Sequence, residues 1–447
     1  MEKFTVIRIA VLGLIFILLS GCQADNQVSP VELSRKAESA ARSGDLIKAE
    51  KLYRSAIEIA GQEQQQLLPS ILCDLGQVLA DRGELEQSAI AYEKAYQIYS
   101  DNPCENPLDL HTCKENLARI YEKTGNYENE EKLNDRYMAL LEKTIKSDPE
   151  KFLIRLVYGY ALVDETRYGE AIEVFGKLLD QEIPPELEVE VLINMAQAKR
   201  ILNKFNLGVV GVDKFASGSG LDELARAERR LESIPARRKK SYLQMLLGEE
   251  YYERIDPDPE EKRIEEGIET SRSSEYKAFR QNMLRKAKKY LGMALTSSAV
   301  EKEEIMDQLR TRLHLARVLL LAGDRRTAGD EMAKAYNMIE SVPSLSDRVS
   351  LYFIAAEGYL LLAETTGKKE DRERAVPPLK KVISLDPTGK DALQAQTCFA
   401  RLYMVDGKLH DAIKALGNAN RILKNRANFN KNGNISDEWV FGMIILT

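Results

Sequence analysis

From residue 30 to about residue 425, apolar and small side chains recur every three to four positions, and glycines interrupt the pattern at long, regular intervals. Five segments share the layout: "RSGDLIKAEKLYRSAIEIA", "DRGELEQSAIAYEKAYQI", "KTGNYENEEKLNDRYMAL", "LAGDRRTAGDEMAKAYNMI" and "VDGKLHDAIKALGNANRIL", with Gly44, Gly83, Gly125, Gly323 and Gly407 at their bends. Seven positions before each glycine stands Ala37, Gly76, Ala118, Ala316 or Ala400; nine after stands Tyr53, Tyr92, Met332 or Leu416, with Asn134 departing. Residues three or four apart share one helix face, so each period predicts two amphipathic helices. The glycine supplies the left-handed residue that ends the first helix and turns the chain back. Small residues let the paired helices approach closely, and bulky ones fill the space toward the neighbouring pair.

Four further units fit more loosely. Residues 152–184 carry Gly159, Leu162, Ala171 and Phe175, with Thr166 where the turn glycine should stand; residues 351–387 carry Gly358, Tyr359, Ala375 and Leu379. Two degenerate units fall between, one with Ala196, the other pairing Gly248 and Tyr251 with Ala287, Leu291 and Ala294. These offsets resemble the tetratricopeptide repeat (TPR). The resemblance implies an all-α, right-handed TPR-type α-solenoid of about 7–9 helix-turn-helix repeats. The turn glycines lie 39 and 42 residues apart, and Gly323 to Gly407 spans 84, so the units are longer than the common repeat.

The amino end changes the setting. Lys3 and Arg8 precede an almost uncharged run, Ile9–Ser20, too short to span a bilayer as a helix and laid out like a secretory signal. Its exit, Leu19-Ser20-Gly21-Cys22, resembles the lipobox of bacterial lipoproteins. That resemblance implies cleavage before Cys22 and acylation of its thiol, palmitate among the chains, and a membrane anchor through the N-terminal lipid. Gln23 after the cysteine points to the outer membrane, facing the periplasm. Nothing after residue 21 is long and apolar enough to span a membrane.

The expected organisation is a signal peptide at 1–21, a tether at 22–29, an N-terminal array at 30–184, degenerate repeats with insertions at 185–300, a C-terminal array at 301–425, and an Asn-rich linker with an apolar tail at 426–447. Without residues 1–21 the chain has 62 basic and 69 acidic side chains, a net charge of −7. That speaks against a nucleic-acid partner, whose binders concentrate positive charge. Cys104 and Cys113, nine residues apart, permit a local disulfide in an oxidising compartment; two unpaired thiols near a helix start are the simpler reading. The three histidines have no second ligand at metal-binding spacing, and no nucleophile elbow, His-Glu-x-x-His or Cys-x-x-Cys occurs. The expectation is no enzyme, no catalytic residue, no metal and no cofactor.

Two stretches interrupt the array. "KFNLGVVGVDKFASGSGLDELARAERR" is read as a glycine-rich loop before a helix near Leu221; a basic run from Arg226 to Lys240 follows, then the acidic "DPDPEEKRIEEGIETS". The two charged stretches are read as solvated and pairing with each other, with docking of an anionic partner as the alternative. The tail Trp439–Leu446 is expected to cap the last repeat or to dock on a partner.

Solenoids of this type leave a concave groove lined by first helices. In the family, partner contacts come from a fixed position of that helix, which here holds Glu38, Gln77, Arg119, Tyr160, Glu249, Arg317, Tyr359 and Arg401. Arg119, Tyr160, Arg317, Tyr359 and Arg401 are the expected protein-binding residues, since Arg and Tyr commonly anchor interfaces. The lysine and asparagine set that clamps a terminal carboxylate in some relatives is missing. The reading that results is a lipid-anchored scaffold or adaptor that binds envelope proteins or peptides in its groove, with a pilotin-like assembly factor or a glycan- or peptide-binding module as alternatives.

Overall fold

The computed structural model describes residues 29–147, 151–206, 220–235, 238–255, 270–297 and 305–427. The expected signal peptide with Cys22, most of the glycine-rich loop, the acidic stretch and the apolar tail lie outside them. Among the described residues are 18 α-helices and no strands. In chain order they are α1 (Pro30–Arg42), α2 (Leu46–Glu63), α3 (Leu68–Asp81), α4 (Leu85–Asp101), α5 (Pro107–Thr124), α6 (Tyr127–Ser147), α7 (Phe152–Asp164), α8 (Tyr168–Leu179), α9 (Pro185–Asn206), α10 (Leu221–Glu232), α11 (Arg238–Glu253), α12 (Thr270–Ser297), α13 (Ile305–Leu321), α14 (Arg325–Met338), α15 (Leu345–Thr366), α16 (Lys369–Leu385), α17 (Lys390–Val405) and α18 (Leu409–Ala427). Each odd-numbered helix packs on the helix after it, giving nine hairpins stacked side by side as an all-α solenoid.

The bends form as the sequence predicts. Gly44, Gly83, Gly125, Gly323 and Gly407 all have positive φ, between 71° and 87°. The residue after each donates its backbone N–H back to a carbonyl near the helix end, as Asp45 does to Ala40 (2.9 Å) and Asp324 to Leu319 (2.9 Å). This satisfies carbonyls that the helix terminus leaves unpaired. Asp45 and Asp324 then start the next helix, their Oδ1 atoms accepting from Lys48 N (3.1 Å) and Thr327 N (3.2 Å). A Gly-Asp dipeptide thus ends one helix and caps the next.

Thr166 occupies the same bend in the fourth unit with φ 59°, and Arg167 N still reaches Leu162 O at 2.8 Å. A β-branched residue is strained there, because its Cβ crowds the backbone in the left-handed region. Thr166→Gly is therefore expected to stabilise the protein by roughly 1 kcal/mol, read as a higher melting midpoint.

Between the paired helices, glycines admit rings and branched chains. A Cβ on Gly159 would lie 2.3 Å from Phe175 Cε1, and one on Gly76 would lie 2.8 Å from Tyr92 Cε2. In the degenerate region a Cβ on Gly248 would lie 2.7 Å from Leu291 Cγ, so α11 and α12 use the same close crossing. Its core gathers Val189, Ala196, Tyr251, Ala287, Leu291 and Ala294, the residues that carried the loose repeat pattern. In the basic run, Arg230 pairs with Glu188 (2.7 Å) and Lys239 with Glu190 (3.0 Å), so these two charges are held by α9.

The stack curves back on itself. The backbone N–H of Leu345, opening α15, donates to Asp81 Oδ1 at the end of α3 (2.8 Å); that of Lys390, opening α17, donates to Glu122 Oε1 of α5 (3.2 Å). Unit eight thus meets unit two, and unit nine meets unit three. The solenoid comes back on itself after six units, first helix against first helix.

Candidate functional site

Charged side chains of the first helices interact across this closure. Asp347 at the start of α15 lies in the field of Arg119 and Lys123 from α5 and of Arg310 from α13; Asp391 of α17 lies near Glu122 and Arg119. Enclosure by protein raises the carboxylates above their ordinary range. Asp74 is pushed up to about 6 by burial and by Glu38, and Glu249 to about 7 by burial. Arg310 Nη2 pairs with Glu249 Oε2 at 2.8 Å, which moderates the Glu249 shift without cancelling it. Beside them His314 Nε2 stands 3.4 Å from Glu249 Oε1. Burial, with the charges of Arg317 and Arg310, holds that imidazole well below its ordinary value, so it is neutral.

Glu249 makes stability depend on pH with a definite sign. Its folded pKa lies above the unfolded one, so its contribution is complete below pH 4.5 and is lost as pH rises through 7. Glu249→Gln removes the charge and keeps the shape. It is expected to raise the melting midpoint at pH 8, by an effect worth about 2–3 kcal/mol. The gain should shrink steadily toward pH 4.

All five residues expected to bind partners lie on first helices, and four of them meet polar partners there. Arg119, exposed, donates to Asn116 Oδ1 (3.2 Å). Tyr160 donates its hydroxyl to Glu190 Oε1 (2.6 Å). Arg317 pairs with Glu357 Oε2 (3.1 Å) and stacks over the Tyr252 ring at 4.6 Å. Arg401 pairs with Glu364 Oε1 (2.5 Å) and lies in the field of Glu357.

Tyr359 is different. It is 8% exposed and packs edge-on against Tyr336 of α14, inside the core. The Gly-Tyr pair of α7 recurs in α15, but in another register. Gly159 faces Phe175 of its own unit, whereas a Cβ on Gly358 would lie 2.8 Å from Met332 Sδ of the preceding unit. That rotation turns Tyr359 inward and makes Glu357 the charged residue that meets Arg317.

The cysteines depart from the option of a local staple. All four described cysteines are free thiols. The phase of α5 points Cys113 into the core, 1% exposed, where its Sγ donates to the Tyr92 carbonyl at 3.5 Å rather than turning out to Cys104. Its neighbour there is Cys73, whose thiol is raised by hydrogen bonding to Cys113 and by burial.

The histidines depart too. His111 and Glu115 stand one turn apart on α5, and Asp164 ends α7 in the next unit; their ligand atoms all lie within 4.8 Å of one another. The i, i+4 pair was visible in the sequence, but Asp164, from another unit, was not.

The tetratricopeptide repeat matches residues 69–102, which span α3 and α4, the second hairpin. With nine hairpins of one build, the protein is a TPR-type α-solenoid, a form suited to protein interaction. No curated protein matches the sequence. Among solved structures the chain is similar to the human IFIT1 dimer with m7Gppp-AAAA, at 15% identity over 89% of this chain and 91% of that one, with a TM-score of 0.38. It is also similar to a tetratricopeptide repeat protein from Parabacteroides merdae, at 15% identity over 86% and 98%, with a TM-score of 0.31. Yeast Tom70 aligns at 12% identity over 94% and 99%, with a TM-score of 0.22. Among the described residues, no helix is long and apolar enough to cross a membrane.

Proposed function

We propose that the protein is a lipid-anchored scaffold facing the periplasm, and that it holds a segment of an envelope protein inside its superhelical turn. The observation that carries this reading is the set of charged and aromatic side chains, Arg119, Arg317, Arg401 and Tyr160, on first helices of a stack that curves back on itself. Guanidinium groups bind carboxylates through paired hydrogen bonds, and a tyrosine adds rigid apolar area at small entropic cost. Mixed charges favour a polar peptide segment over an apolar one, and the net charge of −6 disfavours nucleic acid. The lipobox-like stretch ending at Cys22 supports the anchor. Two or more acyl chains make such attachment stable, where one alone is reversible.

The test is photo-crosslinking in intact cells from a probe placed at Arg401, paired with Arg119→Glu. The reading expects one recurrent envelope protein to be captured, and the capture to be lost in the variant while circular dichroism stays helical. Unchanged capture in the variant would remove this face of the first helices from the account. Cys22→Ala should move the protein from the membrane pellet to the soluble fraction; continued sedimentation with membranes would contradict the anchor.

A further inference from the structure

We infer that His111, Glu115 and Asp164 form a binding site for one divalent transition-metal cation, such as Zn2+, joining the third and fourth units. Each residue offers one ligand atom, and the atoms lie within 4.8 Å of one another. Ligands about 2.0–2.2 Å from a zinc ion stand roughly 3.5 Å apart in a tetrahedron, so small side-chain rotations bring the set to bonding distance. One imidazole with two carboxylates is a mixed nitrogen and oxygen set. It suits a first-row transition cation better than Ca2+ or Mg2+, which favour oxygen alone.

The support around the histidine is what a metal ligand needs. Its Nδ1 lies 3.0 Å from the hydroxyl of Tyr137, a side chain 1% exposed and therefore fixed. In the tautomer whose Nδ1–H donates to that hydroxyl, Nε2 keeps its lone pair for coordination. Ligating histidines regularly tie down their second nitrogen in this way, which sets tautomer and ring orientation. The imidazole is also flanked by two rings, stacked on Tyr137 at 5.9 Å and tilted to Tyr160 at 5.8 Å.

One contact opposes the site. Lys114 Nζ holds Glu115 Oε1 at 2.8 Å, while also lying over the Tyr137 ring at 5.5 Å. It leaves Oε2 of Glu115 available, and the positive charge lowers affinity below that of a three-ligand site without it. Asp164 is exposed, so the fourth coordination position is open to water.

The full chain, stripped with chelator, is titrated with Zn2+ by calorimetry, and Co2+ absorption reports the ligand type. The expected result is one ion bound per chain, with a nitrogen and oxygen spectrum free of thiolate charge transfer. His111→Gln and Asp164→Asn should each weaken binding at least 10-fold, and Tyr137→Phe by a smaller factor, while the helical spectrum stays unchanged. Stoichiometric binding that both ligand variants leave intact, a cobalt spectrum dominated by thiolate, or no binding at all would overturn the assignment.

Discussion

Gly159→Val is expected to cripple the fourth unit. The substituted Cβ would stand 2.3 Å from Phe175 Cε1, inside the contact distance of any two carbons, and the Phe175 ring is fully buried with no free direction in which to retreat. α7 and α8 cross at this point, so relief requires the two helices to part and to disturb α9, which packs on α8. Overpacking of this kind costs about 1–3 kcal/mol, and the β-branched side chain in a closely paired helix places the effect at the upper end. Phe175→Ala alone opens a cavity and costs about 3–5 kcal/mol. Combined, the two changes should cost less than their sum, since each relieves what the other does wrong. A double-mutant cycle in chemical denaturation measures the coupling; strict additivity would show that the helices do not cross at these residues.

Arg317→Glu is expected to be comparably severe, and for an electrostatic reason. The side chain is 13% exposed, pairs with Glu357 at 3.1 Å and covers the Tyr252 ring. Glu357 is already raised above the ordinary carboxylate range by burial, and Glu253 adds a like charge. Reversal would place a further carboxylate among these two and leave Glu357 without its main partner. Breaking an enclosed pair from one side costs about 3–5 kcal/mol. The loss should ease as pH falls, when the crowded carboxylates take up protons; Arg317→Gln should cost less at every pH. Melting curves at pH 8 and pH 5 decide this, and an equal loss at both would place Arg317 in bulk water.

The local build was legible in the chain because it depends on offsets within one unit. The glycine bends, the small-to-large pairing of Gly76 with Tyr92 and Gly159 with Phe175, and the substitution of the turn glycine by Thr166 all follow from helical spacing. Tyr359 misled because the same Gly-Tyr dipeptide sits in α7 and α15, while Gly358 of α15 faces Met332 of the preceding unit rather than its own second helix. A one-residue change of register sends a side chain about 100° around a helix, and no composition signal marks it. The closure was not legible at all. It arises from a small rotation repeated at six interfaces, so Asp81 meets Leu345 across 264 positions through no local pattern. The His111 cluster shares that origin, with Asp164 delivered by the neighbouring unit.

Closure of the turn brings first helices six units apart into contact, and a distance between labels on units three and nine tests it. With paramagnetic labels introduced through non-natural residues at Lys123 and Lys390, pulsed dipolar spectroscopy should give one population below about 25 Å, whereas an open stack, stepping 8–10 Å or more per unit, would part them by roughly 50 Å. A narrow short distance is the predicted result. A broad distribution centred at the longer value would contradict the closed turn.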